Sequence, residues 1–199
     1  MANRSYKGRR FELWLATELS QWWTNGERDD VFYHTHDSGG RATRRHAKGK
    51  KTYGLYGDIH AVDPVGKPLM DLVVIECKRG YNQATIADLL DKPARAAKQA
   101  YEKWIAKARE DAKAAGVPYW LLIHKRDKRE SLVVIPTELE ERICQYGGLS
   151  IYPPYPELFF IDKGGISVTM TTLSDFFSQV TPEQIDKVVA CQTRKKRSG

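Results

Sequence analysis

The order of the elements in this 199-residue sequence predicts an α/β fold, in which helices pack on a central β-sheet. Three observations lead to this class: a helical pattern begins the chain, strand-like runs and a long helical region follow, and another pair of strands comes next. The sequence contains no Pro/Ser linker and no internal repeat. We therefore expect one domain over residues 1–199, with a core at about 5–135, an elaboration at about 136–190 and a basic tail at 191–199.

The first predicted element is a helix from Lys7 to about Trp23. At 100° per residue its apolar side chains fall on one stripe, formed by Phe11, Leu15, Leu19 and Trp22. Asn25-Gly26 ends the helix. Val31 to His34 is a short β-prone run and predicts the first strand.

The next two strand-like runs, Leu55–Val62 and Asp71–Lys78, are joined by a segment rich in Pro and Gly. Such a joint is typical of a turn, so the pattern predicts a β-hairpin. A helical region then extends from Gln83 to Ala115, with Pro93 close to a break or a helix start. The remaining predicted elements are strands at Tyr119–His124 and Leu132–Ile135, a helix at Thr137–Gln145, strands near Leu149–Tyr152, Leu158–Ile161 and Ile166–Met170, and helices at Leu173–Val180 and Pro182–Ala190.

Composition and charge limit the classes of function. No apolar run is long enough to cross a membrane, and the N-terminus has no secretory pattern. The three cysteines are far apart, which argues against a disulfide framework or zinc ribbon and suits a reducing cytosol, so a cytoplasmic protein is expected. The net charge of +7 makes the protein a candidate for binding polyanions. One segment concentrates this charge and contains no acidic residue, although it is also what a solvated loop looks like: Arg41, Arg44, Arg45, Lys48, Lys50 and Lys51.

The chemistry-bearing pattern is an apolar strand that ends in Glu76-Cys77-Lys78. Strand periodicity places Glu76 and Lys78 on one face, where they form either a simple ion pair or part of a reactive site. In the predicted hairpin Asp58 lies directly opposite Glu76, whereas Asp63 and Asp71 face away. Two neighbouring carboxylates repel unless a cation separates them, and hard oxygen ligands suit Mg²⁺ or Mn²⁺. A lysine beside a metal-bound water is the arrangement expected for phosphodiester hydrolysis.

Glu12 is a fourth candidate, because it lies on the apolar stripe of the first helix. A carboxylate on a core-facing stripe breaks the local pattern, as functional residues often do. The alternative is a glutamate at the flank of the stripe, paired with Arg9 or Lys7.

Together these residues resemble the PD-(D/E)XK nuclease superfamily, which has the restriction-endonuclease-like fold of a mixed central sheet flanked by helices. The match consists of Gly57-Asp58-Ile59, then Ile75-Glu76-Cys77-Lys78, preceded by a helix that carries Glu12. With Lys7–Glu12 and Ser38-Gly39-Gly40 included, the pattern is similar to the archaeal and phage Holliday junction resolvases over about residues 5–135.

The resemblance implies a role for each matching residue. Asp58, Glu76 and the Cys77 carbonyl would bind the metal, and Glu12 would act there directly or through water. Lys78 would serve the attacking water, and Ser38 would contact the scissile region. The resemblance also implies a homodimer that nicks four-way DNA junctions symmetrically, in the host cytoplasm if a phage encodes it. The expected DNA-binding residues are basic: Lys7, Arg9, Arg10, Arg41, Arg44, Arg45, Lys48, Lys50 and Lys51.

Several alternatives stay open from the sequence. A general or sequence-specific DNA nuclease, an RNA-directed nuclease and a non-catalytic DNA-binding module of the same fold would share this pattern. His34 and His36 could bind zinc with Asp37, but a histidine pair at a strand end near a basic loop more often contacts phosphate or has no role. Gln99 would either support the site or pack in the core or at the surface. The basic residues of the connection Lys125–Arg129 are either solvated or in contact with DNA.

Overall fold

A computed structural model describes residues 4–35, 56–91, 98–147, 159–163 and 165–197 of the chain. Its main feature is a five-stranded sheet in the order β3-β4-β5-β7-β6. The strands are β3 (Val73–Arg79), β4 (Tyr119–Lys125), β5 (Ser131–Pro136), β6 (Phe159–Lys163) and β7 (Ile166–Thr172). β3 and β4 are parallel and the other pairs are antiparallel, so the prediction of an α/β protein with a mixed sheet is confirmed.

The predicted hairpin before the main sheet is wrong. β1 (Phe32–His34) pairs in antiparallel fashion with β2 (Ile59–Ala61), and neither strand belongs to the five-stranded sheet. The segment after β2 forms a 3₁₀ turn at Pro64–Gly66 and a helix, α2 (Lys67–Leu72), because Asp63 caps the Val65 amide. The prolines that predicted a hairpin turn instead occupy the first positions of helical turns, where a missing N–H costs nothing.

The other helices follow the predicted order with shifted ends. Their bounds are α1 (Arg4–Trp23), α3 (Asp88–Asp91), α4 (Ala100–Ala115), α5 (Thr137–Gly147), α6 (Leu173–Gln179) and α7 (Pro182–Arg197). Two helices, α3 and α4, stand where one interrupted helical region was predicted, and α4 ends at Gly116, whose φ of +75° favours glycine. The strand predicted near Leu149–Tyr152 lies outside the described residues.

The sheet separates two apolar cores. On one face Val73, Ile75 and Cys77 of β3 pack with α1, and on the other face Val74 packs with Tyr101 and Ile105 of α4. Glu76 and Lys78 have the parity of Val74, so they point toward the α4 side at the end of an edge strand.

Residues beyond 135 contribute to the same cores. β7 pairs with β5, and Ile185 and Val188 of α7 are buried in the α1-side core. The Trp22 indole donates to the Val180 carbonyl over 2.8 Å and ties α1 to this C-terminal part. No helix among the described residues is long and apolar enough to span a membrane.

Candidate active site

Asp58 is fastened to the edge of the sheet by its own backbone and side chain. Its amide donates to the Ile75 carbonyl over 2.7 Å, and its Oδ2 accepts from the Cys77 amide over 2.7 Å. The residue therefore bridges the two β3 positions that flank Glu76. The predicted neighbourhood of Asp58 and Glu76 is found, but Asp58 reaches β3 from the residue before β2 instead of from a hairpin strand.

Gly57 makes this close approach possible. Its φ is +78°, and a Cβ at this position would lie 2.6 Å from the Ile75 carbonyl oxygen and 2.7 Å from Cγ1 of Val74. A side chain here would therefore both strain the backbone and push Asp58 away from β3. This is the physical reason for the Gly-Asp pair in the sequence.

Glu76 is a buried carboxylate, 1% exposed, that is held by two ammonium groups. Its Oε1 accepts from the Lys78 Nζ on the same strand, and its Oε2 accepts from the Lys107 Nζ over 2.8 Å. Lys107 also contacts Asp111 over 2.6 Å, one turn further along α4. Such pairing is what allows a charge to be buried at this depth.

Lys107 was not found from the sequence. It lies 31 residues after Glu76 on α4, within the helical region predicted from Gln83 to Ala115 with a break or helix start near Pro93. Burial lowers its pKa, but the charge of Glu76 and the hydrogen bonds to Asp111 and Glu76 outweigh that effect, and the net pKa is raised. In the sequence, Lys107 is recognisable only as the partner of Asp111 four residues later. This spacing indicates that the two side chains share a helix face, but it does not indicate that the face lies against Glu76.

Glu12 enters from α1, on the opposite side of β3. Its pKa is raised to about 7, first because it is partly buried and next because Asp58 lies nearby, with Glu76 adding a smaller repulsion. Lys78 and Arg9 act in the opposite direction. Its Oε2 lies 3.9 Å from Nδ1 of His34, which is too long for a hydrogen bond.

The three carboxylates repel one another across the edge of the sheet. Burial, followed by the charge of Glu76, raises the pKa of Asp58 to about 6, while Lys78 and the Cys77 amide counteract this rise. The Cys77 thiol is buried against the α1 side, and burial followed by the charges of Asp58 and Glu12 raises its pKa well above the usual value. Mutual repulsion raises the pKa values of neighbouring carboxylates because each charge disfavours the ionised form of the next.

The donor set fits a hard divalent cation in its chemistry. The side chains of Glu12, Asp58 and Glu76 supply carboxylate oxygens, which are the ligands that Mg²⁺ and Mn²⁺ prefer. Among the described residues, no three His, Cys, Asp or Glu side chains already converge on one ion position. Glu76 is turned toward two lysines and Asp58 toward a backbone amide, so binding an ion would require these contacts to rearrange.

The other candidate residues lie in different surroundings. Lys7 contacts Asp127 over 3.3 Å, and the exposed Arg10 lies over the Tyr6 ring at 5.8 Å. Gln99 is the N-cap residue of α4, and its backbone amide donates to the Glu102 carboxylate over 2.7 Å, a helix-capping contact. Ser38, His36, Asp37 and the basic residues Arg41, Arg44, Arg45, Lys48, Lys50 and Lys51 lie outside the described residues.

One comparison with known proteins bears on this arrangement. Residues 3–187 match the family described as "Phage putative PDDEXK endonuclease". The match covers most of the chain and includes every residue of the site described above. No curated protein and no solved structure matches the chain significantly.

Proposed function

The chain belongs to this PDDEXK endonuclease family, and from that premise we propose that it is a Mg²⁺- or Mn²⁺-dependent DNA endonuclease whose site is formed by Glu12, Asp58, Glu76 and Lys78. One observation carries the assignment. Asp58 is fastened to β3 by two hydrogen bonds of 2.7 Å, directly beside a buried Glu76 that Lys78 contacts. A fold without chemistry has no need to group two half-buried carboxylates around a buried third one, since each raises the free-energy cost of ionising the others.

Each residue has a defined task in this proposal. Asp58, Glu76 and the Cys77 carbonyl would hold the ion, with Glu12 acting directly or through water. When bound, the ion would supply Lewis-acid stabilisation of phosphate charge and acidify a water. Lys78 would position that water and stabilise negative charge on the phosphate. Lys107 would keep Glu76 oriented when Lys78 moves toward the substrate, because it holds the second carboxylate oxygen.

The finer proposal concerns the substrate. We propose branched DNA, with four-way junctions nicked symmetrically by a homodimer, on the basis of the resemblance of the motifs Lys7–Glu12, Gly57–Ile59 and Ile75–Lys78 to junction resolvases. The segment with the Ser-Gly-Gly turn that is part of this resemblance lies outside the described residues. The substrate must therefore be decided by experiment.

The test is cleavage of a labelled four-way junction and of a matched linear duplex, with Mg²⁺ and with EDTA. We expect Mg²⁺-dependent paired nicks in the junction and little cutting of the duplex. Asp58→Asn and Glu76→Gln should each lower the rate by at least about 100-fold, because each removes a charged metal ligand.

Asp71→Asn is the matched control, since Asp71 is an exposed acid of α2 that pairs only with Lys67 among the contacts described. Its rate should equal that of the wild type. Cleavage retained in both Asp58→Asn and Glu76→Gln would contradict the site. Equal cleavage of junction and duplex would contradict junction selectivity and leave a general nuclease of this family.

A further inference from the structure

The connection between β4 and β5 carries an unusual concentration of charge at the same end of the sheet as Lys78. Four basic residues, Lys125, Arg126, Lys128 and Arg129, surround one acid, Asp127. In the parallel register Lys78 lies beside His124 and Arg79 beside Lys125. The connection therefore begins directly next to the end of the strand that carries the proposed site.

Asp127 fastens this connection to two other parts of the chain. Its carboxylate contacts the Arg79 guanidinium over 2.8 Å, the Lys7 ammonium over 3.3 Å and the Asn82 amide over 2.9 Å. The Asp127 amide in turn donates to Oδ1 of Asn82 over 2.8 Å. The bonds to Asn82 and Lys7 hold the pKa of Asp127 below its usual value. The Asp127 carboxylate is thus directed toward the protein.

The basic side chains at the tip of the connection differ from Asp127 in their exposure to solvent. Lys128 and Arg129 are exposed, whereas Arg126 is half-buried and close enough to contribute to the low pKa of His124. Glu130 follows them, but its carboxylate accepts from the Ser174 hydroxyl at the start of α6. Asp127 is paired with basic groups of the protein, and the tip then carries Arg126, Lys128 and Arg129 against the single exposed carboxylate of Glu130, so its outer surface is basic in net charge.

Lys128 has a backbone conformation that a lysine rarely adopts. The turn is closed by the Arg129 amide, which donates to the Arg126 carbonyl over 3.4 Å, and Lys128 sits at its third position with φ of +58°. Glycine or asparagine is favoured at such a position, and a lysine is strained there. Strain of this kind persists at functional positions when the side chain is needed.

We propose that Lys128 and Arg129 bind the phosphate backbone of DNA beside the cleavage site, and that Asp127 is a positioning residue that holds their turn against Arg79 and Lys7. This proposal rests on the proposed function, because it assigns a binding surface to the same site. For Lys128 and Arg129 it selects DNA contact over solvation, the two alternatives that the sequence left open, on residues that the structure describes. The bound group is a phosphodiester, and the contacts are independent of base sequence.

The experiment measures binding of a short fluorescein-labelled duplex by anisotropy in EDTA, over a series of NaCl concentrations. The variants are Lys128→Gln, Lys128→Gly, Arg129→Gln, Asp127→Asn and Asp127→Glu. Lys113→Gln is the matched control, because Lys113 is an exposed lysine in the last turn of α4, at the opposite end of the sheet. A melting temperature is measured for each protein.

Each of the three variants at Lys128 and Arg129 should lower the slope of log Kd against log salt by about one, the loss of one phosphate contact. Lys128→Gly should do so while raising Tm by about 3 °C, because it relieves the backbone strain. If Lys128 had only a structural role, its replacement by glycine would not lower the salt dependence of DNA binding while raising Tm. Asp127→Asn should weaken binding, and binding should return toward the wild-type value in Asp127→Glu.

Slopes for the Lys128 and Arg129 variants equal to that of Lys113→Gln would overturn the proposal, as would wild-type binding that does not depend on salt. Binding in EDTA requires no chemistry, so these outcomes are separate from the cleavage test of Asp58→Asn. Weaker binding by the turn variants together with full cleavage by Asp58→Asn would sustain this proposal and overturn the catalytic assignment.

Discussion

Two fully buried ionisable side chains lie on neighbouring strands of the sheet and are stabilised in opposite ways. Glu76 on β3 and His124 on β4 are each 1% exposed. Glu76 is contacted by two lysines and has two further carboxylates nearby, whereas the imidazole of His124 shares a hydrogen bond of 2.8 Å with the Tyr101 hydroxyl. The first region retains charge in the interior, and the second avoids it.

The difference separates the charged cluster of the proposed active site from a neutral pair that contributes to stability. Trp104 and Tyr101 surround His124 with aromatic contacts at 5.0 and 5.5 Å, so burial disfavours its charged form. Burial raises the pKa values of Asp58 and Glu12, and a neighbouring carboxylate raises each of them further, so their charged forms are disfavoured in the absence of a cation. The two regions should therefore contribute to stability with opposite dependence on pH.

The largest expected effect concerns His124. Burial lowers its pKa from 6.5 to about 4. Between these values the unfolded chain binds a proton that the folded protein does not, so the stability present above pH 6.5 is lost as the pH falls toward 4. The slope is about 1.4 kcal/mol per pH unit, which gives about 3 kcal/mol in total. In urea unfolding, the stability difference between wild type and His124→Gln should shrink by this amount over that range. A constant difference would show that His124 is protonated in the folded protein.

The next effect has the opposite sign and concerns Asp58. Its pKa is raised from 3.8 to about 6, so the penalty for its charge is complete above pH 6 and absent below 3.8. In EDTA at pH 8, Asp58→Asn should stabilise the protein by about 2 kcal/mol, because the asparagine oxygen still accepts from the Cys77 amide. The gain should disappear near pH 4. Mg²⁺ should raise the Tm of the wild type and not of this variant. Asp71→Asn should gain nothing at pH 8, and destabilisation by Asp58→Asn there would contradict the comparison.

The contrast also shows which features the sequence could predict. The parity of Glu76 and Lys78 on β3 follows from strand periodicity, and the Gly-Asp motif brings Asp58 to the same edge. The hairpin prediction was wrong because a proline can begin a helix as well as occupy a turn. Only the burial of Leu69 and Leu72 decides in favour of the helix. Local patterns thus predicted that Asp58, Glu76 and Lys78 lie close together, but not the path of the chain between them.

The contacts that could not be predicted from the sequence all join residues that are far apart in the chain. Lys107 reaches Glu76 from a helix 31 residues away, and Asp127 reaches Lys7 across 120 residues. Tyr101 and His124 pair only because α4 lies along β4. No spacing rule connects such positions, since their proximity is produced by the packing of complete elements.

The smallest effect tests the neutral region by itself. Tyr101→Phe removes a fully buried hydroxyl and leaves the ring contacts with Trp104 and His124 in place. The imidazole then lacks the phenol as its partner at Nδ1, which should lower the free energy of unfolding in urea by about 1–2 kcal/mol.

Tyr119→Phe is the matched control, because the Tyr119 hydroxyl donates over 3.2 Å to Glu138, a side chain that is 64% exposed. Water can replace that contact, so we expect a loss of only about 0.5 kcal/mol. Both variants should cleave DNA at the wild-type rate, since neither hydroxyl contacts a carboxylate of the proposed site. A fall in cleavage by Tyr101→Phe alone would mean that the buried histidine positions Lys78, and the two regions would then act as one.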